Sequence, residues 1–346
     1  MRGVLCASLA SFAVRVYILL SVLATSGCLQ NVSQRAIKLS GKAQGTTYQI
    51  TYLGMDTLVR QSQVDSILNE IDQSLSTYNP NSIISRINNN ENGVVADKYF
   101  TDVFRKAMEI AKDTDGAFDP TISPLVEAWG FGSGNQGENQ QPPDSATALW
   151  IKTLVNYKNV QLTKNSEIQK GNPLIQLDFN GIAQGYSVDV LSEFIKKKGV
   201  KNYLVELGGE VRASGQNVKE KPWSIGIDKP KDGLAKRELH AVITLSNKSL
   251  ATSGSYRNYW EENGQKYSHI IDPKTGFPAK NNVLSVTVIT ENCMEADAYA
   301  TAFMVMGLDG IKEFLKKEMA IELFVVYDEN GQLKEFRTDG LDIIIL

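Results

Sequence analysis

The sequence predicts a mixed fold, α/β in the broad sense and α+β in its arrangement, on three observations. Apolar residues recur at helical spacing through the first half, and short β-prone runs broken by Gly, Pro, Asn and Asp crowd the second. No period of the length used by solenoids or propellers repeats, so those architectures are set aside. Strands that follow one another directly predict antiparallel pairing. With 346 residues the chain can build a real core, as one large domain or two lobes.

The elements follow in order. Alternation over residues 46–52 predicts a strand, and Val64, Ile67, Leu68, Ile71 and Leu75 a helix with Ser62 as its N-cap. Phe100, Val103, Phe104, Ala107, Ile110 and Ala111 predict a second amphipathic helix that ends before the 113–116 turn. Residues 132–143, rich in Gly, Asn and Gln, predict an exposed excursion, after which Asp144 caps a helix reaching about Leu154. Residues 174–179 predict a strand, and 187–198 a helix stopped by Gly199. Strands are expected at 203–207, 223–227, 241–245 and 284–290, helices at 295–306 (stopped by Gly307) and 310–317, and final strands at 321–327 and 342–346.

A net charge of −3, with no basic stretch interleaved with aromatics, argues against a nucleic-acid surface. The single basic run, Lys196-Lys197-Lys198, falls where it favours a helix dipole. At the N-terminus, Arg2 and Arg15 precede an apolar stretch over 16–24, then Thr25, Ser26, Gly27 and Cys28. This reads as a secretory signal over residues 1–27, too short to span a bilayer comfortably. Cys28 after small residues resembles a bacterial lipobox, although Thr25 stands where leucine is more usual. Cys28 would then be the lipidated first residue of an exported protein, tethered to the inner membrane and facing the periplasm. Residues 28–39 would form its tether and 40–346 its domain. With Cys6 removed, Cys28 and Cys293 remain, and no intrachain disulfide is available.

Six segments carry residue types suited to chemistry. His269, one of two histidines, stands three residues before Asp272 in a Pro- and Gly-bearing turn. A histidine there can move a proton near neutral pH and a carboxylate can orient it, though such a pair is often structural. Asp178-Phe179-Asn180-Gly181-Ile182-Ala183-Gln184-Gly185-Tyr186 joins an expected strand to an expected helix. Its small residues allow close backbone approach to an anion, or simply make a connecting turn; it is neither a Walker nor a Rossmann loop. Asp297 and Thr301, four apart on a helix among alanines, offer hard oxygen donors of the kind Mg²⁺ accepts. Alternatively, Thr301 bonds back to its own helix and Asp297 serves the dipole. The turns around Tyr78 and Asp119, with Trp129 and Phe131 shortly after the second, can present aromatics to a planar heterocycle or pack into their own domain. Glu206 and Glu210 flank a Gly-Gly turn. A zinc site is unlikely in so histidine- and cysteine-poor a chain.

Taken together, these segments resemble the ApbE family of FAD:protein FMN transferases. The matching stretches are Gln44-Gly45-Thr46, Ser76-Thr77-Tyr78-Asn79-Pro80, 116–122, Trp129-Gly130-Phe131-Gly132, 178–186, 205–210, Thr252-Ser253-Gly254, 268–276 and 296–301. The resemblance implies a fold related to the tunnelling fold, with a flavin cleft between two lobes. It implies Mg²⁺-dependent transfer of FMN from FAD to a Thr or Ser hydroxyl of a partner protein through a phosphoester, with release of AMP. The acceptors it suggests are membrane electron-transport subunits with a Ser/Thr motif. It further implies metal ligation by Asp297, Thr301 and the Ala183 carbonyl, an FAD site lined by Tyr78, Ala117, Phe118, Asp119, Asn180, Tyr186 and Ile271, and His269 as the catalytic residue. Gln44 stands where many members have methionine, so any contact it makes to FAD differs in kind. Two other functions are weighed: an FAD pyrophosphatase yielding FMN and AMP, with the same cleft and metal but water as the attacking group, and a non-catalytic flavin-binding lipoprotein, which would keep the aromatic and glycine-loop features without need of His269 beside a metal pair.

Overall fold

The computed structural model describes residues 35–132, 142–230, 238–255, 259–262, 265–317 and 320–346. The expected signal segment, Cys28 and most of the 132–143 excursion lie outside these residues. β1 (Arg35–Ala43) and β2 (Thr46–Gly54) pair antiparallel from Arg35↔Gly54 to Ala43↔Thr46. Gln44 and Gly45 join them, both at positive φ (51° and 72°), the conformation of a two-residue hairpin turn. Residues 35–39, expected as tether, therefore belong to a strand: their backbone groups are paired along the whole length of β2.

α1 (Gln61–Leu75) buries Val64, Leu68, Ile71 and Leu75, the stripe its spacing predicts. Its N-cap is Arg60 rather than Ser62, since Arg60 N–H donates to Gln63 Oε1 at 3.1 Å. α2 (Ile83–Asn88) is capped by Ser82, and α3 (Lys98–Asp113) by Asp97, whose Oδ1 accepts from Phe100 N–H at 2.8 Å. α4 (Ser123–Ala128) and α5 (Ser145–Lys152) follow, the latter capped by Asp144 as expected. β3 (Val160–Leu162) and β4 (Ile168–Lys170) make a small hairpin.

Residues 174–179 do not form the expected strand. Asn88 acts as a substitute neighbour: its Nδ2 donates to Leu177 O at 2.9 Å and its Oδ1 accepts from Leu177 N–H at 2.7 Å. The next amide, Asp178 N–H, donates to Pro120 O at 2.8 Å. The β-prone residues Ile175, Leu177 and Phe179 are buried, but their backbone is held by a side chain and a loop. α6 (Ala183–Lys197) consequently starts four residues before the expected Ser187 and takes Gly185 into its first turn.

β5 (Tyr203–Leu207), β6 (Glu210–Ser214), β7 (Trp223–Asp228), β8 (Leu239–Leu245) and β9 (Lys248–Gly254) come next, then the hairpin of β10 (Tyr259–Glu262) and β11 (Gln265–Ser268). β12 (Val283–Thr290) precedes α7 (Cys293–Phe314), which is broken at Gly307 (φ 67°, ψ 174°), where the stop was expected. β13 (Glu322–Glu329), β14 (Gln332–Arg337) and β15 (Ile343–Ile345) complete the described elements. Strands β1-β2-β5-β6-β9-β12-β13-β14 form an eight-stranded sheet with every neighbouring pair antiparallel. A second sheet has the order β15-β8-β7.

Both faces of the central strands are covered, which explains their continuous apolar runs. Leu323 and Val325 of β13 join the core under α3 and α7, while Phe324 and Val326 join Ile243 and Leu245 of the smaller sheet. α6 and α7 pack on each other and on the large sheet, and their junction forms one wall of a cavity.

Candidate active site

The cavity holds about 920 Å³, room for a large nucleotide. Of the residues picked out from the sequence, Gln44, Tyr78, Ala117, Phe118, Asp119, Asn180, Ala183, His269, Ile271, Asp297 and Thr301 all line it. They come from hairpin turns, helix ends and loops distant in the chain. Tyr186 does not line the cavity. Its ring meets Tyr99 edge-on at 6.3 Å in the core and its hydroxyl donates to Asp102 Oδ2 at 3.0 Å. These contacts place it on the core side of α6.

α6 and α7 meet along a seam of three rungs. Asp189 of α6 accepts from Cys293 N–H (3.0 Å, Oδ1) and Met294 N–H (2.9 Å, Oδ2) at the start of α7. Four residues back along α6, Gly185 N–H donates to Asp297 Oδ2 at 3.0 Å, four residues on along α7. Four further back, a Cβ on Gly181 would lie 3.0 Å from Thr301 Oγ1. A Cβ on Gly185 would lie 2.7 Å from the Cys293 carbonyl carbon and 2.8 Å from Asp297 Cβ, so only glycine permits this approach.

Asp297 is 6% exposed, and burial pushes its carboxyl up to about 7 against the opposing Gly185 hydrogen bond. Thr301 Oγ1 lies 3.3 Å from Ser253 Oγ, a hydroxyl of β9. The Ala183 carbonyl accepts from Ser187 Oγ at 2.9 Å, and Ser187 in turn accepts from Gln44 Nε2 at 2.8 Å. Gln44 thus ties the β1–β2 turn to the first turn of α6.

Asp119 and Asp178 are spent on their own loops. Asp119 Oδ1 accepts from Thr121 N–H (2.8 Å) and Oγ1 (2.6 Å), and Oδ2 from Tyr157 N–H at 2.9 Å. Asp178 Oδ1 accepts from Asn180 N–H at 2.6 Å and Oδ2 from Asn180 Nδ2 at 3.2 Å. Burial raises both carboxyls above their ordinary value, opposed by those bonds. Both residues shape the wall rather than offer a free carboxylate.

His269 follows β11 and faces the cavity beside Phe131, the rings 6.2 Å apart and tilted by 65°. The hairpin after it is closed by Ala279 N–H to Ile270 O and Asp272 N–H to Phe277 O, each 2.8 Å. Asp272 Oδ1 accepts from Lys274 N–H at 2.8 Å, so this aspartate shapes the turn. Trp129 Nε1 donates to Gly276 O at 2.9 Å, which anchors the hairpin to α4. Tyr78, 55% exposed, stands at the rim.

Sequence reasoning missed Asp72, Gln184 and Val305 as lining residues, and gave Glu210 and Ser253 no definite role. Asp72 interrupts no pattern on α1, and only the folded hairpin brings Gln44 against it. The lining contains the carboxylates of Asp72, Asp119, Asp178, Glu210 and Asp297, and among its described residues neither Lys nor Arg. Nowhere among the described residues do three or more His, Cys, Asp or Glu gather as a metal cluster.

An antiparallel sheet backed by two helices, with a large cavity of mixed apolar and polar lining at their junction, is the architecture of a ligand-binding protein. The ApbE family model matches residues 44–325, and the chain belongs to that family. It is 35% identical over 308 residues to an FAD:protein FMN transferase of Haemophilus influenzae, covering 86% of this chain and 88% of the relative. The flavin transferase ApbE from Vibrio cholerae superposes with a TM-score of 0.79 at 32% identity, over 88% of this chain and 98% of that one. The flavinyl transferase ApbE of Pseudomonas stutzeri, in its apo form, gives a TM-score of 0.78 at 30% identity, over 88% and 95%.

Proposed function

We propose that this chain is an FAD:protein FMN transferase. It cleaves the FAD pyrophosphate and joins the FMN phosphate to a Thr or Ser hydroxyl of a target protein. One observation carries this beyond the names of its relatives: Asp297, Thr301, the Ala183 carbonyl and His269 surround a single cavity large enough for FAD.

The same cavity supports a requirement for a divalent cation. An FAD diphosphate placed against five carboxylates, with no Lys or Arg among the described lining residues, calls for positive charge from a bound cation. A buried carboxylate, a hydroxyl and a carbonyl are hard oxygen donors, a set suited to Mg²⁺, and a cation there would offset the burial that raises the Asp297 carboxyl. Asp297, Thr301 and the Ala183 oxygen would hold the ion, the last sharing its oxygen with the Ser187 hydroxyl. When bound, Mg²⁺ neutralises charge on the diphosphate and on the departing phosphate.

The protein's own groups supply the rest. Small residues at Gly181 and Ala183 let the diphosphate approach the α6 backbone, while Ala117, Phe118, Ile271 and the rim Tyr78 offer apolar surface to the flavin. Gln44 presents a polar amide where many family members carry methionine. His269 accepts the proton of the incoming hydroxyl as its oxygen bonds to the FMN phosphorus. The bond from that phosphorus to the bridging oxygen breaks, and the bridging oxygen leaves with AMP. The acceptors are membrane electron-transport subunits with a Ser/Thr motif, and the enzyme works exported and lipid-anchored through Cys28, which the N-terminal pattern supports.

The test is to incubate the protein with FAD, Mg²⁺ and an acceptor polypeptide and to look for flavin fluorescence that survives denaturation. Covalent flavin on the acceptor is the expected result. Free FMN and AMP alone would make the protein a pyrophosphatase, and intact FAD a flavin carrier.

A further inference from the structure

We infer that Asp189 is a positioning residue that sets the register of α7 against α6, and with it the spacing of Asp297 and Thr301 from the Ala183 carbonyl. The inference rests on the metal-dependent reading above. Asp189 lies outside the cavity lining, on the opposite side of the Gly185–Asp297 contact from Thr301.

The two helices exchange hydrogen bonds in both directions. An amide of α6, Gly185 N–H, donates to a carboxylate of α7, and two amides of α7, Cys293 and Met294 N–H, donate to a carboxylate of α6. Asn292, the residue that precedes α7, makes no side-chain cap bond, so Asp189 caps this helix from a different one. Cys293, Asp297 and Thr301 are spaced by four and share a face, so a slide of one residue, about 1.5 Å, would break both sets of bonds at once. It would also carry the carboxylate and hydroxyl of α7 away from the Ala183 oxygen.

Asp189 is itself clamped. Arg212 of β6 donates through Nη1 to Asp189 Oδ1 at 2.8 Å and through Nη2 to Glu193 Oε1 at 3.2 Å. With Arg212 mostly buried, the pair anchors the cap to the strand that also carries Glu210 of the cavity wall. Arg212 thereby ties the α6–α7 seam to the sheet behind it. A capping role alone calls for one acceptor; a bidentate carboxylate fixed by an arginine also sets direction.

The test compares wild type, Asp189→Asn and Asp189→Ala as full chains. Mn²⁺, a probe for hard oxygen sites, is titrated by electron paramagnetic resonance in the presence of FAD, and FAD affinity is measured separately by flavin fluorescence. Asparagine keeps the size and one acceptor oxygen, so it should weaken Mn²⁺ binding less than alanine. Groups that orient metal ligands typically change affinity by about 10- to 100-fold, and a loss in that range is expected for Asp189→Ala, with FAD affinity within twofold of wild type. Mn²⁺ binding within twofold of wild type in both folded variants would overturn the inference, as would a parallel fall in FAD affinity. An Asp189→Asn protein that fails to fold would also overturn it, by assigning the residue to global stability. If wild type itself binds no Mn²⁺, the metal-dependent reading fails, and the inference with it.

Discussion

Gly185→Ala would show how closely the site depends on the α6–α7 approach. The added methyl would start 2.8 Å from Asp297 Cβ and 2.7 Å from the Cys293 carbonyl carbon, where ordinary contact begins at 3.4 Å. The Cys293 neighbour is backbone, which cannot rotate aside, so the helices must part by roughly 1 Å. Overpacking of this kind costs about 1–3 kcal/mol, and replacing a helical glycine by alanine returns up to about 1 kcal/mol. The net loss of about 1–2 kcal/mol should lower the melting temperature by roughly 1–3 °C in a domain of this size. Activity should fall further than stability. Separation would stretch the Gly185–Asp297 bond, now 3.0 Å, and misplacement near 1 Å can cost about 10²-fold in rate. The assay is covalent flavin transfer measured alongside thermal unfolding. Gly181→Ala serves as the milder control for thermal unfolding alone, because its methyl would meet the Thr301 side chain, with Oγ1 at 3.0 Å, rather than backbone. A Gly185→Ala protein with wild-type rate and melting temperature would refute the close-approach argument.

Other variants separate the roles of the cavity residues. His269→Ala should slow transfer by about 10²–10⁴-fold with FAD binding retained; wild-type flavin loading would remove it from the reaction. Asp297→Ala should abolish Mg²⁺-dependent turnover, and undiminished wild-type activity in a chelator would exclude the metal requirement. Trp129→Phe removes the donor to Gly276 O and should cost about 1–3 kcal/mol in denaturant unfolding; an unchanged midpoint would show that water replaces the bond. Lys274, on the His269 hairpin, holds the Asp115 carboxyl below its ordinary 3.8 by a hydrogen bond and its charge. That pair is exposed, so Asp115→Asn should cost under about 1 kcal/mol. Because the folded value is lowered, the contribution is complete above pH 3.8 and is lost as pH falls through the lowered value. Comparing melting temperatures of both proteins on acidification checks this; a difference that persisted in strong acid would count against it.

Local patterns made much of the fold readable. The stripes of α1 and α3 bury the residues their spacing selects, Asp144 caps α5, and Gly307 breaks α7. Asp297 and Thr301 could be placed on one helix face because that depends only on helical periodicity. The failures occur where a distant partner satisfied the backbone. β-prone residues 174–179 are held by the Asn88 side chain and Pro120, and contacts with Tyr99 and Asp102 place Tyr186 on the core side of α6.

Reading along the chain was enough to find the residue types: one carboxylate–hydroxyl pair on an alanine-rich face, a small-residue loop, and a histidine in a turn. These follow from neighbours close in the chain, where bond geometry leaves few choices. It took the folded arrangement to bring them around one cavity and to stand Asp72, Glu210 and Ser253 in its wall. The same arrangement has Asp119, Asp178 and Asp272 hold their own loops. The physical reason is that hydrogen-bond partners and close approach, as between Gly185 and Asp297, are properties of pairs, and the pairs form only when segments a hundred residues apart pack together.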